Sequence, residues 1–98
     1  MSFVAISKVK YPEGVRDEIH AFGKRMIPVA EKQPGFVTVR FHQSTTANET
    51  MMYWEWTEPS YHEACMQSDD WGQLMASAGE LFQTEGVEFD IHTYERLA

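Results

Sequence analysis

The chain has 98 residues, 43% of them hydrophobic and 13% aromatic, and a formal net charge of −7 from 15 acids and 8 bases. That length is one domain, and it buries only roughly 60–65% of the surface its unfolded form exposes, so the core is thin. An acidic chain without a basic stripe excludes nucleic acid as a partner and argues against binding at a membrane surface.

Ser2 to Val9 is a short apolar run closed by the turn-like Tyr11-Pro12-Glu13-Gly14, and it reads as a strand with both faces at least partly buried. Phe3, Ala5, Ser7 and Val9 share one face, and Val4, Ile6 and Lys8 the other. Residues 12–32 read as a helix, with Val15, Ile19, Phe22, Met26 and Val29 forming an apolar stripe. Pro28 removes a backbone donor and is expected to kink that helix or end it near Ile27. Residues 35–43 alternate, with Val37, Val39 and Phe41 against Thr38, Arg40 and His42, as in a half-exposed edge strand. A polar loop leads into a third strand, Thr50 to Trp56, which completes a hairpin.

Thr57 is placed to cap a second helix, with Glu58 and Pro59 in its first turn and Tyr61, Ala64, Cys65 and Ser68 as its inward stripe. Asp69 or Asp70 caps a further helical piece carrying Trp71, Leu74, Met75, Ala78, Leu81 and Phe82 on one side. After Glu85-Gly86, residues 87–94 alternate again, with Val87, Phe89 and Ile91 on one face. The order β-α-β-β-α-β predicts an α+β chain with a ferredoxin-like antiparallel sheet, both helices on one face and the first and third strands central. Helices on one side leave Met51 and Tyr53 facing outward. Three Trp, six Phe and four Tyr are a large load for so small a domain, so a homodimer joined through the open sheet is expected. The lone Cys65 rules out an intramolecular disulfide, and no secretion signal or run of ~18 apolar residues is recognisable, which fits a cytoplasmic protein.

Three stretches, Gln33-Pro34-Gly35-Phe36, Trp54-Glu55-Trp56 and Ser68-Asp69-Asp70-Trp71, set in this element order, resemble the antibiotic biosynthesis monooxygenase domain family. The resemblance runs over nearly the whole chain. It implies a dimeric α+β barrel with a pocket between sheet and helices in each subunit. Some relatives oxidise phenols or quinols with oxygen and no cofactor, and others degrade haem. By this resemblance Trp56 matches the strand tryptophan that lines the pocket. Tyr61 or His62 falls near a helix tyrosine of the phenol-oxidising members, whereas Met52 replaces their polar asparagine. Ser7 stands where the haem-degrading branch has an asparagine, Met75 near its haem-ligating histidine, and Cys65 where a frequent family histidine sits.

The candidate catalytic residues are therefore Trp56, Tyr61 and His62. A neutral histidine suits proton abstraction near pH 7, and the tryptophans suit an aromatic clamp. The substrate-binding candidates are Ser7, Phe22, Trp54, Cys65 and Trp71, and the competing reading for Cys65 and both strand tryptophans is plain core packing. His20, His42 and His92 fall on polar faces and read as solvated. No metal-ligand spacing or phosphate-binding glycine loop is present, so no metal and no cofactor are expected. The readings that follow are a cofactor-independent monooxygenase for a phenolic or quinol-type molecule, a dimeric module that binds an apolar or aromatic small molecule without turnover, and, ranked below both, a haem-degrading monooxygenase.

Overall fold

The computed structural model describes residues 2–98. Its elements are β1 (Phe3–Lys10), α1 (Arg16–Glu31), β2 (Phe36–Gln43), β3 (Glu49–Trp56), α2 (Pro59–Met66), α3 (Asp69–Ser77), α4 (Gly79–Gln83) and β4 (Glu88–Glu95), with a 3-10 turn over Glu13–Val15 before α1. The four strands form one sheet in the order β2-β3-β1-β4, and every pairing is antiparallel. The central places fall to β1 and β3, the two most apolar strands, as their patterns require.

Register decides which side chains meet. Ala5 pairs with Trp54 and with Thr93, and Ser7 with Met52 and with Ile91. Paired residues share a face, so Ala5, Ser7, Met52, Trp54, Trp56, Phe89 and Ile91 all turn toward the helices. Most of the core collects there: Ala5, Phe22, Ala30, Met52, Trp54, Trp56, Cys65, Trp71, Leu74 and Ala78 form one buried cluster. The opposite face carries Val4, Ile6, Met51, Tyr53 and Glu55, and no helix among the described residues covers it.

Four local expectations are corrected. The first helix does not end at Ile27 but runs through Pro28 to Glu31. One missing hydrogen bond near the end of a helix anchored by Ile19, Phe22 and Ala30 does not outweigh that packing. In β2 a bulge between Phe36 and Thr38 breaks the alternation. Phe36 therefore takes the inward place, edge-on to Trp56 at 5.7 Å, and Val37 is exposed. The cap of α2 is Glu58 rather than Thr57, with no side-chain bond, and Pro59 opens the helix. Ser68, not an aspartate, caps α3 by accepting the Trp71 backbone N–H at 3.3 Å.

His20 is not simply solvated. It lies half-buried with Nε2 2.7 Å from Gln43 Oε1, the same oxygen that accepts the Tyr11 hydroxyl at 2.6 Å. The ring stands edge-on to Tyr11 and Phe41. This polar knot ties the start of α1 to the end of β2.

Candidate functional site

The face pattern of β1 and β3 and the stripes of α1, α2 and α3 leave a gap between sheet and helices. It is a cavity of about 560 Å³, within the usual range for small-molecule sites. Its lining is Ser7, Phe22, Met26, Trp54, His62, Met66, Trp71, Met75, Phe82, Val87, Phe89 and Ile91. None of these is an acid, a lysine or an arginine. Two of them, Ser7 and His62, bring a hydroxyl and an imidazole to an otherwise apolar and aromatic wall, where the Trp54 and Trp71 rings meet edge to face at 5.9 Å and Phe22 meets Phe82 likewise at 5.4 Å. The cavity reaches the surface along β4, where Phe89 is 54% and Ile91 41% exposed.

The candidates from the sequence separate into two groups. Ser7, Phe22, Trp54, His62 and Trp71 all line the cavity. Trp56, Tyr61 and Cys65 do not. Trp56 is fully buried behind His62, with ring centroids 6.0 Å apart, and its buried indole N–H has no hydrogen-bond partner among the described residues. Tyr61 is 38% exposed, and its ring lies against Gly35. Cys65 is fully buried, and burial pushes its thiol up to about 11, so it holds no thiolate at neutral pH.

The rotation of α2 explains the difference. Its inward residues are His62, Cys65 and Met66, whereas Tyr61 and Ala64 point outward. His62 is thus half-buried, packed between Phe3 at 5.2 Å and Trp56. Burial lowers its pKa, against a smaller upward pull from Glu63, so the ring is neutral at pH 7. No hydrogen bond to either ring nitrogen occurs among the described residues. A neutral imidazole facing an apolar cavity has one donor and one acceptor to offer.

Ser7 is 6% exposed. Its Oγ accepts the Trp54 indole N–H at 3.3 Å, which orients that ring against the cavity. Met26, Met66, Met75, Phe82, Val87, Phe89 and Ile91 also line the cavity but were absent from the candidate set. Six of them carry a signal in the sequence: Met26, Met75 and Phe82 lie on the helical stripes, and the last three form the inward face of the final strand, whereas Met66 falls on no stripe.

A second polar cluster lies on the far side of the sheet. Glu55 is 4% exposed, and its carboxylate accepts Arg96 Nη1 at 3.0 Å and the Tyr53 hydroxyl at 3.0 Å. Burial pushes this carboxyl up, but hydrogen bonds from Ser2, Tyr53 and Arg96, with the Arg96 charge, outweigh that and hold it below the ordinary range. Among the described residues no group of three or more His, Cys, Asp or Glu is placed to hold a metal ion, and no helix is long and apolar enough to cross a membrane.

No family model matches the sequence, and no curated protein is detectably similar to it. Solved structures do match in shape. Rv0793 from Mycobacterium tuberculosis superposes with a TM-score of 0.84 at 14% identity, over 100% of this chain and 97% of that one. SnoaB, a cofactor-independent oxygenase from Streptomyces nogalater, gives 0.83 at 11% identity, over 99% and 94%. A candidate antibiotic biosynthesis monooxygenase from Deinococcus radiodurans gives 0.82 at 8%, over 98% and 93%. The four-stranded antiparallel sheet, its strand order and its single helical layer are thus those of a ferredoxin-like α+β fold that this chain shares with structures of the antibiotic biosynthesis monooxygenase type.

Proposed function

We propose that the chain is a cofactor-independent monooxygenase that acts on an electron-rich aromatic small molecule, a phenol, quinol or activated methylene. The observation that carries this reading is His62, a neutral imidazole with neither nitrogen hydrogen-bonded among the described residues, facing an aromatic cavity large enough for a polycyclic molecule. The likeness in fold to a cofactor-independent oxygenase supports it.

The chemistry asks little of the protein. Trp54, Trp71 and Phe22 hold the flat substrate and keep water out. His62 takes a proton from the substrate, and the resulting anion passes an electron to molecular oxygen. Recombination forms a C–O bond, and the peroxide recovers the proton from the imidazolium. For a methylene, loss of water then leaves a carbonyl. One oxygen atom ends in that carbonyl and the other in water, and the substrate supplies all four electrons. Tyr61, placed outside the cavity, has no part in this scheme, and Trp56 acts through the position it gives His62.

A homodimer belongs to the same proposal. The helix-free face presents the half-buried Ile6, Met51 and Tyr53, with Tyr94 50% exposed beside them on β4. Burying that face against a second copy would shield the aromatic surface that one subunit leaves open. Sedimentation at micromolar concentration is expected to give twice the 11.3 kDa chain mass.

A second reading, a binding protein without turnover, is favoured by the wall of Met26, Met66 and Met75, which adapts to many shapes. Incubation of the pure protein with anthrones and hydroquinones decides between the two. Oxygen uptake with one labelled oxygen atom in the product supports the oxygenase, and a retained ligand in native mass spectra without uptake supports the binding protein.

A further inference from the structure

We infer that Ser7 is the specificity-determining residue of the cavity, donating its hydroxyl hydrogen to an uncharged acceptor oxygen, such as a ketone carbonyl, on the bound molecule. The inference rests on the reading of the cavity as a ligand site, and not on the oxygenase chemistry assigned to it.

The bond that Ser7 makes fixes what it has left to give. A serine hydroxyl has one donor hydrogen and two lone pairs. The Trp54 indole N–H can only donate, so Ser7 Oγ is the acceptor in the 3.3 Å bond between them. No other hydrogen bond involves Ser7 Oγ among the described residues. Its hydrogen is therefore unspent on a side chain only 6% exposed that lines the cavity. A buried donor without a partner is costly, and it is relieved by an acceptor arriving in the cavity. The Trp54 contact also restricts the hydroxyl, because one lone pair is committed and the hydrogen must point elsewhere.

The rest of the wall limits the acceptor's charge. The lining holds no lysine or arginine, and the one titratable lining group, His62, is neutral at pH 7. A carboxylate or phosphate would enter without a counter-charge and lose its hydration. A site built to hydrogen-bond an oxygen discriminates against an analogue without it far more sharply than a purely apolar site does. Ser7 thus selects a neutral oxygen-bearing molecule over both the bare hydrocarbon and the acid.

The test compares 9-fluorenone, fluorene and 9-fluorenone-2-carboxylate, three tricyclic probes of similar shape, by quenching of tryptophan fluorescence. Trp54 and Trp71 line the cavity and report occupancy. The intact protein is expected to bind fluorenone about tenfold more tightly than fluorene, and the carboxylate more weakly than either. Ser7→Ala, with the His62 N–H still in place, should lose most of that preference, and Ser7→Thr, which keeps the hydroxyl on a strand that suits a β-branched residue, should retain it. Equal binding of fluorenone and fluorene by the intact protein, or an undiminished preference in Ser7→Ala, overturns the role of Ser7 and leaves the cavity reading standing. Failure of all three probes to bind overturns both.

Discussion

The Tyr61 ring lies over the α-carbon of Gly35, so that a side chain on Gly35 would collide with it. Gly35 also has a φ of +78°, which favours glycine, and its carbonyl accepts the Thr57 backbone N–H at 2.9 Å. The pair thus joins the turn after α1 to the start of α2. It gives Gln33-Pro34-Gly35-Phe36 a structural meaning and places Tyr61 in that joint rather than in the cavity. Gly35→Ala combines a strained backbone with a steric clash, and we expect it to destabilise the protein by about 2–4 kcal/mol in denaturant unfolding. Tyr61→Phe keeps the ring and should leave both stability and ligand binding near those of the parent.

Glu55 and Arg96 make stability depend on pH in the acid range. Glu55 titrates lower in the folded chain than in the unfolded one. The stabilisation it contributes is therefore present above the unfolded carboxyl pKa of about 4.3 and fades as pH falls through the lower folded value. Arg96→Ala leaves a buried carboxylate without its cation and should lower the thermal midpoint at pH 7. Because the Arg96 side chain is itself half exposed, solvent screens the pair and the loss should be modest. The midpoints of variant and parent should converge as Glu55 is protonated, and a difference that persists unchanged at pH 2–3 would show that Arg96 acts by packing alone.

Much of the fold was legible because it rests on periodicity. The apolar runs of β1 and β3, the alternation in β4 and the stripes on α1 and α3, taken in their order along the chain, led to the observed sheet order. The errors arose where tertiary context outweighs local pattern. Nothing in Phe36-Val37-Thr38 announces a bulge, since both registers put an apolar residue inward. The rotation of α2 is not legible in the sequence, because Tyr61 and His62 are adjacent and either can face the core. The sequence draws Tyr61 inward by its aromatic bulk, but Gly35 offers that ring a surface on the outside, and His62 fills the gap between Phe3 and Trp56. The Glu55–Arg96 pair joins residues 41 positions apart, a distance over which a single sequence carries no signal.

Trp56 sets packing against polarity. Its indole N–H is buried and unpaired among the described residues, a cost of roughly 1–3 kcal/mol. Trp56→Phe removes that donor along with part of a ring, and the two effects oppose each other. We expect a net loss below about 1.5 kcal/mol in urea unfolding. Trp54→Phe, which breaks the bond to Ser7, should cost more.

His62 should leave its mark on stability as well as on activity. Its folded pKa is lowered by burial, so the unfolded chain binds the proton more readily. The stability this residue allows is present above the unfolded value near 6.5 and declines as pH falls from there toward the lower folded value. His62→Phe should abolish that decline, which parallel unfolding titrations from pH 7.5 to 5 will detect.

The central claim is that His62 takes the substrate's proton inside the cavity, and it can be read without oxygen. Mixing the protein anaerobically with an anthrone or hydroquinone at pH 7 should produce the red-shifted absorbance of the bound anion. In His62→Ala we expect that absorbance to be missing and aerobic turnover to fall about 10²–10⁴-fold. An anion spectrum of equal intensity in the parent and in His62→Ala would contradict the assignment.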